Sequence, residues 1–168
     1  MAGGAIIQAP IHPPVPAMTL RRLFTTTTLL LPLLATAQSS SGPTPPTDAG
    51  ATITTSSGLV FKLQKAGTGP SPAATDTVKV HYRGTFADGA NKGKEFDSSY
   101  SRGQPAEFPL NRVIKCWTEG VQLLKVGGSA RLICPAAIAY GERGAGGGLI
   151  PPNATLQFDV ELLGIAGR

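Results

Sequence analysis

Only one stretch of this 168-residue chain carries helical periodicity, and that limits its fold more than any other feature. In RVIKCWTEGVQLL, residues 112–124, Ile114, Trp117, Val121 and Leu124 recur at intervals of three, four and three, which is one apolar face of a helix. The segments around it alternate with period two. LVFKLQKAG (59–67) sets Leu59, Phe61 and Leu63 against Val60, Lys62 and Gln64. DTVKVHYRGTF (76–86) sets Val78, Val80 and Tyr82 against Lys79, His81 and Arg83. EFDSSY (95–100) and AEFPL (106–110) are short strand pieces split by SRGQP, and ARLIC (130–134) closes at Pro135. In TLQFDVELLGI, Leu156, Phe158, Val160 and Leu162 oppose Gln157, Asp159 and Glu161. Such strands make an antiparallel sheet with one wet and one apolar face. Residues 112–124 are the element available to cover the apolar face. The expected class is α+β, about five antiparallel strands wrapped around one short helix.

The N-terminal part reads differently. Residues 1–17, MAGGAIIQAPIHPPVPA, are Pro-rich and without period; Met18 is the expected natural start. From there Arg21 and Arg22 form a short basic region, Leu23–Leu34 an apolar run, and Ala35-Thr36-Ala37 a cleavage site, the layout of a secretory signal peptide. The run is short and Thr-rich for a membrane span, so no stable span is expected after cleavage. Residues 38–57, QSSSGPTPPTDAGATITTSS, have the composition of a flexible tether. The expected organisation is 1–37 extension and leader, 38–57 tether, and 58–168 a single folded domain. The expected location is outside the cytoplasm, by export.

Export gives the cysteines a meaning. Cys116 and Cys134, the only two, are a candidate disulfide in an oxidising compartment and two small buried thiols otherwise. Two Cys and one His within the domain cannot assemble a four-ligand zinc site, and neither metal nor other cofactor is expected. Net charge is +5; setting aside Arg21 and Arg22 leaves 13 basic against 10 acidic residues, spread singly. That pattern describes a solvated surface and no nucleic-acid partner. His81 points to the wet face, opposite Tyr82, and no G-x-S-x-G or Cys/His signature is present, which argues against a hydrolase. YGERGAGGGLIPP (140–152) is followed by a strand and lacks the Lys of a phosphate loop. It reads as a flexible flap beside a site.

What remains is an apolar concavity. Tyr82, Phe96, Phe108, Val113, Ile114, Trp117, Leu149, Ile150 and Phe158 can converge where the helix start, the sheet and the Gly-rich loop meet. The polar groups that belong to it are the Tyr82 and Tyr140 hydroxyls and the Asp97 carboxylate. Few oriented polar groups in an aromatic hollow suit an apolar ligand that bears an amide.

VHYRGTFADG, KEFDSSY, RVIKCWTEGVQLLKVGG, AYGERG and LIPPNATLQFDVELL occur in the order found in FKBP-type (tacrolimus-binding-protein) peptidyl-prolyl isomerases. The resemblance runs from about Leu59 to Ile165, and with the leader the chain looks like the exported bacterial members, which implies a periplasmic or secreted location in a bacterium. It implies an FKBP-like fold, isomerisation of X-Pro bonds in proline-containing polypeptide clients during protein folding, binding of tacrolimus and rapamycin, and a monomer. It also implies roles: Tyr82, Asp97 and Tyr140 catalytic; Phe96, Phe108, Val113, Ile114, Leu149, Ile150 and Phe158 substrate-binding; Trp117 core on one face and a platform for a proline ring on the other. A non-catalytic peptide-binding or holdase module using the same groove is the alternative. Three departures stand out: Ala106 where many members have an aromatic residue, a longer turn ADGANKGKEF, and Cys116 where Gly is usual. Cys134 replaces an aliphatic residue beneath the helix, so the resemblance lets the two cysteines approach.

Overall fold

The computed structural model describes Pro46 and residues 48–167. The expected leader and extension, residues 1–37, and residues 38–45 and 47 of the expected tether lie outside the described residues.

Seven strands form one antiparallel sheet: β1 (Thr52–Thr54), β2 (Val60–Lys65), β3 (Thr77–Phe86), β4 (Glu95–Ser98), β5 (Ala106–Pro109), β6 (Ser129–Cys134) and β7 (Leu156–Ile165). Their order is β1-β2-β6-β7-β3-β4, with β5 also on β3. A single α-helix, α1 (Lys115–Gln122), lies among the described residues. The α+β architecture anticipated from the alternation is present, with more strands than the five or so expected.

The extra strand is β1, and it corrects the tether boundary. Thr52, Ile53 and Thr54 pair with Lys62, Phe61 and Val60, so the sheet begins six residues before Gly58. Two of the three are β-branched threonines, polar enough to resemble a linker yet suited to an edge strand. Ile53 packs against the core, and the Ser57 hydroxyl donates to Glu119 of α1 at 2.6 Å.

Alternation places the core as anticipated. Val78, Val80 and Tyr82 of β3, Phe61 and Leu63 of β2, and Leu156, Phe158, Val160 and Leu162 of β7 are buried. A register shift breaks the period at the end of β7: Val80 pairs with Leu162 but Lys79 with Gly164, so Leu163 bulges out while Leu162 and Ile165 both stay inside. The helix is shorter than residues 112–124. Val113 and Ile114 are extended, preceded by a 3₁₀ turn at Leu110–Arg112. Consecutive β-branched residues disfavour a helical start, and the Thr118 hydroxyl donates to the Leu110 carbonyl at 2.7 Å to hold the turn against α1. Ile114, Trp117, Val121 and Leu124 are nonetheless all buried. A Cβ on Gly120 would lie 2.8 Å from Leu132, so glycine lets α1 sit close on β6.

Cys116, in the first turn of α1, and Cys134, the last residue of β6, are joined by a disulfide; both are fully buried. The bond fastens the helix start to the sheet one residue from Trp117.

Candidate functional site

The sheet, the start of α1 and the loop after β6 meet around Trp117. The indole has no exposed surface. Tyr82, Phe108 and Phe158 pack edge-on around it, with ring centroids 5.3, 5.6 and 5.6 Å away. Such edge-to-face contacts suit the quadrupoles of aromatic rings and fix the indole plane. Phe96 extends the cluster, meeting Phe158 at 5.6 Å. Its packing depends on Gly84, where a Cβ would fall 2.6 Å from the Phe96 ring and 3.1 Å from Phe158. Sequence reasoning passed over Gly84; a glycine at an inward strand position between aromatic neighbours is the signal that could have marked it.

Val113, Ile114 and Ile150 are also buried, whereas Phe96 and Tyr140 are half-buried and Leu149 is 47% exposed. Tyr82, Phe108, Val113, Ile114, Trp117, Ile150 and Phe158 belong to one buried cluster with Phe96 and Tyr140 packed against it, whereas Leu149 stands outside that cluster. A separate hollow of about 130 Å³ lies past the other end of α1, lined by Pro46, Leu63, Ala66, Gly67, Leu123 and Lys125. Lys125 is the single charged side chain there, and none of the expected site residues reaches it.

The Gly-rich loop is built of short 3₁₀ turns at Gly141–Arg143 and Gly146–Gly148, where a flexible flap was expected. Ala145 and Ile150 exchange backbone hydrogen bonds at 3.0 Å, which seats Ile150 in the floor. Gly144 makes this pairing possible: its φ is +63°, and a Cβ would lie 2.1 Å from the Ile150 carbonyl oxygen.

The polar part of the site is a closed ring of hydrogen bonds. The Tyr82 hydroxyl donates to Asp97 Oδ2 at 2.6 Å. Arg102 donates from Nη1 to Asp97 Oδ1 at 2.5 Å and from Nη2 to the Tyr82 hydroxyl oxygen at 2.6 Å. Its guanidinium carbon also lies 5.4 Å from the Tyr82 ring centroid. Tyr82 and Asp97 come from neighbouring strands, as expected, but Arg102 was missed because it sits in a turn. The signal was the serine pair after Asp97: Ser98 Oγ accepts the amides of Tyr100 and Ser101, which doubles the chain back toward Asp97. Both Asp97 oxygens are engaged within the protein. The cluster is therefore held as a fixed electrostatic wall.

Burial raises the Tyr82 hydroxyl far above the ordinary tyrosine value; the Asp97 hydrogen bond adds to this and Arg102 works against it. Burial raises Tyr140 as strongly, with the charge of Asp97 and the nearby Tyr82 adding to it. For Arg102, partial burial works to lower the pKa, and the hydrogen bonds to Asp97 and Tyr82 outweigh it. Raised tyrosines bind their protons more tightly folded than unfolded. Their contribution to stability is whole below the unfolded value near pH 10 and fades as pH climbs toward the native values. Ultraviolet titration of the native chain should accordingly show the Tyr82 and Tyr140 phenols un-ionised where free tyrosine is half-ionised. Normal ionisation of all tyrosines near pH 10 in folded protein would contradict the buried hydroxyl arrangement.

Among the described residues, no group of three His, Cys, Asp or Glu is placed to hold a metal ion, and no helix is long and apolar enough to cross a membrane.

The fold is an antiparallel sheet packed on one short helix, with a buried aromatic cluster at the helix start and a Tyr-Asp-Arg cluster of hydrogen bonds beside it. The comparisons give that fold its family. Residues 69–163 match the model described as FKBP-type peptidyl-prolyl cis-trans isomerase, and the chain belongs to that family. It is 58% identical over 111 residues to the FKBP-type peptidyl-prolyl cis-trans isomerase FkpA of Aeromonas hydrophila, an alignment covering 66% of this chain and 39% of the relative. It is 52% identical over 111 residues to the FKBP-type 22 kDa peptidyl-prolyl cis-trans isomerase of Escherichia coli strain K12, covering 66% and 52%. The crystal structure of FkpA from Escherichia coli superposes with a TM-score of 0.63 at 49% identity, covering 70% of this chain and 52% of that one. That of AtFKBP13 superposes at 0.60 and 38%, covering 69% and 99%. The chain thus spans 39% to 52% of the length of these two curated relatives.

Proposed function

We propose that this chain is a peptidyl-prolyl cis-trans isomerase that assists the folding of exported, proline-containing polypeptides. One observation carries the reading: the Tyr82–Asp97–Arg102 cluster stands beside an aromatic floor centred on Trp117, in a chain of the FKBP family. The leader-like sequence of residues 18–37 supports export to the periplasm or beyond in a bacterium.

The reaction needs no nucleophile. Rotation about an X-Pro bond faces a barrier of about 18–20 kcal/mol because amide resonance must break, and takes tens to hundreds of seconds unaided. A roughly 10⁶-fold acceleration calls for about 8 kcal/mol of preference for the twisted amide. The twisted amide is less polar than the planar one, so an apolar hollow penalises the planar form more. That desolvation is worth roughly 1–3 kcal/mol. The remainder comes from binding the backbone in a twist-compatible turn, where contacts remote from the reacting bond favour the transition state.

In this reading Trp117 underlies the proline ring, and Phe96, Phe108, Val113, Ile150 and Phe158 form the walls. The Ile114 N–H and the Tyr140 hydroxyl hold the substrate carbonyls. Because the indole is wholly covered, the side chains over it move aside to admit the ring. Rotamer changes of exposed side chains take picoseconds to nanoseconds and do not limit turnover. Tacrolimus and rapamycin are expected to occupy the same hollow.

The test is isomerisation of a Leu-Pro or Phe-Pro tetrapeptide by the chain, with and without either macrolide. Turnover that the drug abolishes is the expected result. No turnover with drug binding intact would replace the enzyme with a peptide-binding module built on the same hollow.

A further inference from the structure

One edge of β3 is served by two short strands laid end to end. β5 covers Thr77–Val80 and β4 covers Arg83–Thr85, so His81 and Tyr82 fall in the gap between them. A buried backbone N–H without a partner costs about as much as a lost hydrogen bond. Here the gap is closed by Ser99, the residue after β4. Its N–H donates to the Tyr82 carbonyl at 3.0 Å, and its hydroxyl oxygen accepts the Tyr82 N–H at 2.8 Å. In an antiparallel ladder that N–H would go to the carbonyl of the facing residue. The side-chain oxygen takes this place, and the main chain is released to turn. The same turn returns Arg102 to Asp97 and to the Tyr82 hydroxyl.

Ser99 is fully buried. Its Oγ also lies 3.2 Å from the Tyr82 carbonyl oxygen and 3.0 Å from His81 Nδ1. A hydroxyl has one proton to give. With that proton on the Tyr82 carbonyl, His81 donates from Nδ1 to Ser99 Oγ. The imidazole is held in turn by stacking on Tyr100, with centroids 4.7 Å apart and planes 14° from parallel.

We propose that Ser99 is the positioning residue for the Tyr82–Asp97–Arg102 cluster, with His81 holding its hydroxyl in place. It touches no substrate; it sets the backbone from which the Tyr82 side chain reaches the site. This rests on the isomerase reading, in which the position of the cluster is felt as rate.

A double-mutant cycle on kcat/KM separates positioning from general support. Ser99→Ala is expected to lower kcat/KM about tenfold in the natural background and by less than about twofold in Tyr82→Phe, where the placed hydroxyl is already gone. His81→Phe keeps the stack on Tyr100 but not the bond to Ser99. It should cost about threefold and show the same collapse in Tyr82→Phe, and it serves if Ser99→Ala does not fold. Equal losses in both backgrounds, or no loss in the natural one, would overturn the proposal. The two readings also fail separately. Absence of turnover in the unaltered chain sinks the isomerase alone. In that case NMR decides the positioning: Tyr82 ring shifts and Arg102 guanidinium protons must move in Ser99→Ala, and if they do not, Ser99 places nothing.

Discussion

Breaking the Cys116–Cys134 bond is expected to lower the thermal midpoint by roughly 10–20 °C. The bond closes a loop across a sequence separation of 18 residues, and chain-entropy estimates for loops of that size give about 3 kcal/mol. In a domain somewhat above 100 residues, each kcal/mol moves the midpoint by about 4–5 °C. Both cysteines are fully buried, so a reductant must wait for the helix start to open, and reduction should lag behind that of an exposed bond. Catalysis well below the midpoint should hardly change, because Tyr82, Phe108 and Phe158 hold the indole independently of the sulfurs. Calorimetry of oxidised chain, reduced chain and the Cys116→Ala/Cys134→Ala double variant tests this. Midpoints within about 2 °C of one another would mean that the bond constrains little in the unfolded ensemble. A large loss of kcat/KM at 25 °C would mean that it shapes the pocket directly.

What could be read from the sequence follows from how local each signal is. Alternation in β3 and β7 announced which side of each strand meets the core, and the period of Ile114, Trp117, Val121 and Leu124 identified the covering face even though the regular helix spans only Lys115–Gln122. These patterns are written into neighbouring residues. Thr52–Thr54 escaped because an edge strand buries little, so its composition matches that of a linker; pairing with β2 decides its state. Arg102 escaped for a different reason. Its hydrogen bonds to Asp97 and Tyr82 arise only after Ser98 and Ser99 have bent the chain, and no periodicity records a turn of that kind. The composition of the Gly-rich loop suggests a flap but not its local structure, in which the positive φ at Gly144 permits the Ala145–Ile150 pairing. The apolar floor was therefore largely visible in advance, and the polar ring only by two of its three members.

That third member changes what removal of Asp97 should do. Asp97→Leu deletes an acceptor that holds the Tyr82 hydroxyl and the Arg102 guanidinium at once, leaving a buried phenol and a partly exposed cation without it. Hydrogen bonds to charged groups are worth about 1.5–3 kcal/mol each when buried, but solvent reaches Arg102, whose side chain is 35% exposed, so its share is discounted. If about 1.5–3 kcal/mol of this appears in the transition state, kcat/KM falls roughly tenfold to a hundredfold. The loss should fall chiefly on kcat, because the apolar floor proposed to hold the proline ring is untouched. Asp97→Asn, which keeps an acceptor for Tyr82 but not the charge for Arg102, should fall between Asp97→Leu and the natural chain. Arg102→Leu should resemble Asp97→Asn, since Tyr82 then keeps its carboxylate partner but loses the cation over its ring. Steady-state kinetics on one tetrapeptide across the set decides the matter. Unchanged kcat/KM in Asp97→Leu, together with unchanged kcat/KM in Tyr140→Phe, would leave the apolar hollow as the whole catalyst. Loss in Asp97→Leu confined to KM would make the ring a binding contact, and the electrostatic wall would then have no part in stabilising the twisted amide.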